Sequence, residues 1–128
     1  MTGAAMMNVM LVSGDLMFAS KVSAACQRAR AKLNVAASAV AAADMAAAEG
    51  PNLVIFDLTM PALDMASAVP RIRAAAAKAN IIAYGPHVDE TRLVAAQAAG
   101  CDEVLTRGQF HAQMDSIVSG TRAVGDSN

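Results

Sequence analysis

The sequence predicts an α/β domain built on one parallel sheet with helices on both faces. Three observations carry the prediction. Short β-like runs alternate with helix-like runs from end to end, giving five β-α units. The connections are short, and most are marked by glycine, proline or a capping residue. The apolar run Leu53 to Phe56 is uninterrupted, as expected of a strand covered on both faces. Parallel strands need crossover connections, which the intervening helices supply.

The elements follow in order. Val9 to Val12 reads as the first strand, broken by Ser13-Gly14-Asp15. Asp15 can cap a helix whose apolar positions Phe18, Val22, Cys26 and Ala29 share one face. Lys32 to Asn34 is read as the close of that helix, and Val35 to Ala37 as a weak second strand. Ala41 to Glu49 forms an alanine-rich helix stopped by Gly50-Pro51. After the third strand, a loop with Pro61 leads to a helix around Val69 to Lys78, with Pro70 near its start, where a missing N–H is tolerated. Ile81 to Tyr84 is the fourth strand, ended by Gly85-Pro86. Asp89 caps the next helix and Gly100 stops it. Glu103 to Thr106 is the fifth strand. Phe110, Met114, Ile117 and Val118 mark the buried face of the last helix.

At 128 residues the chain fits a single domain, expected over residues 1–122, with 123–128 as a flexible tail. It is 55% hydrophobic but only 3% aromatic, so the core must rely on small alanine faces with Leu, Ile, Val and Met filling the gaps. Met6, Met7 and Met10 read as a start that runs into core packing. A net charge of −1 offers no footprint for nucleic acid or an anionic membrane. No apolar stretch approaches the ~20 residues that span a bilayer, and a cytoplasmic location is expected. Cys26 and Cys101 have no metal-ligand spacing and read as two buried thiols.

In this architecture ligands sit outside the C-terminal ends of the strands. The residues there are Ser13, Gly14 and Asp15; Asp57 to Thr59; Gly85, Pro86 and His87; and Arg107 and Gly108. A glycine-rich nucleotide-binding turn is missing after the first strand. Thr59 stands where a haloacid-dehalogenase-like phosphatase needs its second aspartate. Asp57 itself can be read as a reactive acid or as a surface or capping acid, Asp15 as a cap or a metal ligand, and His87 as a loop or a site residue.

The segment "VIFDLTMP", with Asp64 three residues beyond its proline, and "AAGCDEVLTRG" further on resemble the receiver domain of bacterial two-component response regulators. The likeness extends over roughly residues 8 to 120. It implies a flavodoxin-like, doubly wound five-stranded sheet in the order 2-1-3-4-5 with five helices. It also places Asp57 at the position that accepts a phosphoryl group from a kinase phosphohistidine, with Mg²⁺ held by neighbouring carboxylates.

Several positions depart from the family pattern. Two adjacent acids normally end the first strand, and Ser13 and Gly14 stand there, with only Asp15 acidic. Gly85 replaces the hydroxyl residue of the fourth strand, and Val104 replaces the aromatic switch residue of the fifth. Arg107-Gly108 replaces Lys-Pro. A guanidinium can grip a carboxylate in two parallel hydrogen bonds, so a standing Asp57–Arg107 pair is expected.

The expected function is a receiver-like signalling module with a degenerate phosphorylation site, its remnant comprising Ser13, Gly14, Asp15, Thr59, Gly85 and Arg107. It would act through protein–protein contacts with a histidine kinase or an output domain, not as an enzyme, and with no cofactor. Two alternatives stay open. One is a receiver still phosphorylated on Asp57, with Asp15 and Asp57 holding a weak Mg²⁺. The other is a small-molecule or anion binder that uses Arg107 and loop N–H groups in the same cleft.

Overall fold

The computed structural model describes residues 7–121. The chain runs β1 (Asn8–Val12), α1 (Leu16–Ala29), β2 (Lys32–Ala36), α2 (Ala39–Glu49), β3 (Leu53–Asp57), α3 (Met65–Ala75), β4 (Asn80–Gly85), α4 (Glu90–Ala99), β5 (Glu103–Thr106) and α5 (Arg107–Ser119). The strands form one sheet in the order β2-β1-β3-β4-β5, and every neighbouring pair is parallel. This is the flavodoxin-like, doubly wound arrangement expected from the sequence. Met6 and the tail at 123–128 lie outside the described residues.

Successive side chains of a strand point to opposite faces, and two cores result. On one face Val9, Leu11, Leu53, Ile55, Ile82 and Tyr84 meet Phe18, Val22 and Cys26 of α1 and Phe110, Met114, Ile117 and Val118 of α5. On the other, Met10, Val12, Val54, Phe56, Ile81 and Ala83 meet Ala42 and Ala46 of α2, Ala68, Val69 and Ile72 of α3, and Ala96 of α4. The alanine bias is thus spent mainly on the second face, where small side chains bring α2 and α4 close to the sheet. Cys26 and Cys101 are free, buried and in different cores. Burial pushes both thiols up to about 11, which leaves them poor nucleophiles.

Every helix has a side-chain cap at its N-terminus: Asp15, Ser38, Asp64, Asp89 and Thr106 in turn. Asp15 and Asp89 are the expected caps, and Gly50 and Gly100 the expected stops. Ser38 starts α2 two residues earlier than the sequence reading placed it. Two boundaries differ for physical reasons. α1 ends at Ala29 because Arg30 adopts a left-handed conformation (φ 58°). Lys32 then pairs with Met7 of the chain leading into β1 (N to O 2.8 Å), so Lys32 to Asn34 belongs to β2 and not to the helix. α3 begins at Met65, where Asp64 caps it, and Pro70 therefore lies inside the helix rather than in its first turn.

β1 hands the chain to α1 on one face, and β3 hands it to α3 on the other. The adjacent C-terminal ends of β1 and β3 therefore open into a crevice at a topological switch point.

Candidate functional site

The crevice is an open cleft of about 420 Å³ lined by Gly14, Asp15, Ala37, Asp57, Thr59, Met60 and Pro61. Asp57 closes β3, in register with Tyr84 of β4, and is only 1% exposed. Ser13 lies beside it because β1 and β3 run parallel in register, with Val12 opposite Phe56. A buried carboxylate needs donors for its oxygens, and each oxygen has one or more. Oδ2 accepts from Ser13 Oγ at 2.7 Å. Oδ1 accepts from the Thr59 amide at 2.9 Å and from Thr59 Oγ1 at 2.6 Å. Ser13 Oγ in turn accepts from the Asp15 amide at 3.0 Å. Ser13 and Thr59 thus clasp the acid from two sides.

Asp15 lines the same cleft, but both of its oxygens are engaged elsewhere. Its Oδ1 accepts from the Phe18 amide at 3.1 Å as the α1 cap, and its Oδ2 accepts from Arg107 Nη2 at 2.9 Å. The Phe18 amide and, after it, the Arg107 guanidinium hold the Asp15 carboxyl below its ordinary value. The guanidinium also lies 4.9 Å from the centre of the Phe18 ring. The expected Asp57–Arg107 pair is therefore replaced by an Asp15–Arg107 pair. The reason lies in the start of α5. Thr106 and Gln109 form a capping box, so the helix begins at Arg107 directly after β5. Its side chain leaves from the first helical turn and reaches the N-terminus of α1 instead of the end of β3.

Gly85 is closed off by neighbours. A Cβ there would come within 3.2 Å of Leu58 Cβ, with Leu93 Cδ2 at 3.7 Å. Leu58 thus fills the space a longer side chain at this position would need. At Gly14 a Cβ would meet nothing within 4 Å. Val104 is partly buried against the core on the α2–α4 side. His87 is exposed in the loop after β4, as a loop histidine would be.

Two residues that sequence reasoning passed over belong to this neighbourhood. Tyr84 is fully buried, stacked on Phe110 with ring centroids 4.8 Å apart and tilted against Phe18 at 4.9 Å, and Phe18 and Phe110 also touch each other. Its hydroxyl lies near Ser13, whose hydrogen goes to Asp57, and has no hydrogen bond of good geometry. Burial, reinforced by the charge of Asp57, pushes the phenol well above its ordinary value. The strand alternation could have placed Tyr84 on the α1–α5 face, but not under the acid. Arg92 of α4 donates to the Leu58 carbonyl, and nothing in the sequence marks it out from other surface arginines.

The groups available to a divalent cation are the carboxylates of Asp57 and Asp15. The first is held by two hydroxyls and an amide, and the second by an amide and a guanidinium. Among the described residues no group of three or more His, Cys, Asp or Glu side chains is arranged to hold a metal ion. Both carboxylates are thus already engaged, which leaves few free oxygens for a Mg²⁺ ion. Among the described residues no helix is long and apolar enough to cross a membrane.

Comparison with known proteins agrees with this fold. The signal receiver domain of NarL from Mycobacterium tuberculosis superposes with a TM-score of 0.75 at 17% identity, covering 92% of this chain and 97% of that one. The receiver domain of Ssk1 from Saccharomyces cerevisiae, crystallised with the histidine phosphotransfer protein Ypd1, gives 0.73 at 17% identity, covering 96% and 95%. The receiver domain of the sensor histidine kinase PA1611 from Pseudomonas aeruginosa, with a magnesium ion in its active-site cleft, gives 0.72 at 18% identity, covering 89% and 98%. No curated protein sequence matches significantly. The family model for the response regulator receiver domain matches residues 9–118, from the first strand to the end of the last helix, and the chain belongs to that family of two-component signalling domains.

Proposed function

We propose that this receiver domain has a degenerate phosphorylation site and works mainly as a protein-interaction module, without catalytic activity and without a cofactor. The observation that carries the reading is the clasp on Asp57. Ser13 and Thr59 supply hydroxyls where a phosphoryl group and its cation would need free carboxylate oxygens. A phosphoryl group brings about two negative charges to a buried position, and a divalent cation is what normally offsets them. Here the nearby cation, Arg107, is already paired with Asp15. Asp57 then serves as a structural anchor that joins β1, β3 and the turn after β3. The absence of a hydroxyl at Gly85 and of an aromatic at Val104 supports the same reading, since neither can report a phosphoryl group. The same ion pair counts against an anion binder relying on Arg107.

The partners proposed are signalling proteins of the cytoplasm: a histidine kinase, a phosphotransfer protein of the kind crystallised with Ssk1, or an output domain. Amide chemical shifts followed during titration with Mg²⁺ and then beryllofluoride test the reading. The expected result is no saturable change around Asp57 at millimolar Mg²⁺. Saturable shifts that disappear in Asp57→Ala would establish a phosphorylatable site instead.

A further inference from the structure

The turn that follows Asp57 is fastened to α4. Arg92, in the first turn of α4, donates through Nη1 to the Leu58 carbonyl at 2.5 Å. Its Nε lies 3.4 Å from Oδ2 of Asp89, the α4 cap, which steadies the guanidinium. Leu58 is seated from the other side: its buried side chain packs over Gly85, and Leu93 of α4 borders the same spot. The turn is also under strain. Ala62 adopts a left-handed conformation (φ 61°), which a Cβ disfavours, and such residues persist where the surroundings hold them in place. Between the turn and α4 lies a cavity of about 170 Å³, bordered by Leu58, Leu63, Asp64 and Arg92 among others. Across this gap the Arg92 guanidinium supplies a directional hydrogen bond to the turn, beside the apolar neighbourhood of Leu58 and Leu93.

We propose that Arg92 is a latch that makes the Asp57 turn and α4 open together, so that a partner engaging α4 changes the surroundings of Asp57. Coupling of two sites requires an element whose state both sites bias, and in this proposal that role falls to the turn that Arg92 holds. The route uses a backbone carbonyl and an arginine, and so needs neither a hydroxyl at Gly85 nor an aromatic at Val104. It stands whether or not Asp57 accepts a phosphoryl group, so its failure would leave the pseudo-receiver reading untouched.

Native-state hydrogen exchange tests it. Ala98 is exposed on α4, and Ala98→Gly should raise local opening of that helix about fivefold. With Arg92 present, the amides of Thr59 and Met60, which bond to Asp57, are expected to exchange faster by a similar factor. In the Arg92→Ala background, Ala98→Gly should leave those two amides unchanged, while the β3 amides stay protected and show the fold intact. If Arg92→Ala fails to fold, Arg92→Met, which keeps the apolar stem and loses every N–H donor, provides the same comparison. Thr59 and Met60 amides that ignore Ala98→Gly with Arg92 in place, or respond equally without it, overturn the proposal.

Discussion

Ser13 decides the character of the acid beside it. A serine hydroxyl donates one hydrogen and is neutral, so Asp57 is stabilised without a cation. A second carboxylate in the same place would face Asp57 at close range, and the repulsion at ~4 Å would be about 4 kcal/mol at an effective dielectric near 20. Ser13→Asp should therefore lower the melting temperature in chelator and recover it when Mg²⁺ is added, whereas the unsubstituted protein should melt alike in both. Thermal unfolding followed by circular dichroism, with and without Mg²⁺, measures this. A Ser13→Asp variant indifferent to Mg²⁺ would show that the missing acid is not what sets the affinity. Asp57 was legible from its strand and the following proline. The partner of Arg107 was not, because a sequence gives the sign and the neighbourhood of a charge but not the turn of helix from which it projects.

Elements carry their own conflicts, and α3 has the clearest. Pro70 lies five residues beyond its start at Met65, so the Ala66 carbonyl lacks the amide that would normally bond to it. Pro70 is exposed, and its replacement disturbs no core contact. Pro70→Ala should stabilise the protein by up to about 3 kcal/mol, less the ~1 kcal/mol by which a more flexible unfolded chain offsets it. The urea midpoint should rise with the slope unchanged. No gain would mean that the proline is accommodated without loss. The sequence reading placed Pro70 in a first turn because that is where proline is tolerated. It gave Asp64 to the motif and overlooked it as a cap. The other caps were easier to see where an aspartate directly preceded the apolar pattern, as at Asp15 and Asp89. α1 ended early because a non-glycine residue, Arg30, took the left-handed position, which composition does not signal.

On the scale of the whole molecule, the sheet order and the two cores follow from apolar strands alternating with helical periodicity, and these survive wide changes in individual residues. The site does not, because it depends on side-chain directions at four separate strand ends. The ion pairs that join elements connect the two levels. Arg107–Asp15 ties α5 to α1, and Lys32–Glu49 ties β2 to α2. Asp15 is held below its ordinary value by the Phe18 amide and Arg107, and Glu49 below its own by Lys32. For an acid whose folded value is depressed, the stabilisation is fully present above the unfolded value and is lost as pH falls through the folded one. Melting temperature should thus hold steady at neutral pH and fall once the pH drops below the ordinary range of these two acids. Both side chains are partly exposed to solvent, so salt should reduce the effect. Asp15→Asn keeps a capping side chain but abolishes the charge facing Arg107, and should flatten the acid limb of the curve while leaving the Lys32–Glu49 contribution in place. Melting curves recorded across the acid range at low and high salt provide the check. An acid limb equally steep in Asp15→Asn would show that the pair between α1 and α5 does not contribute to holding the two helices together.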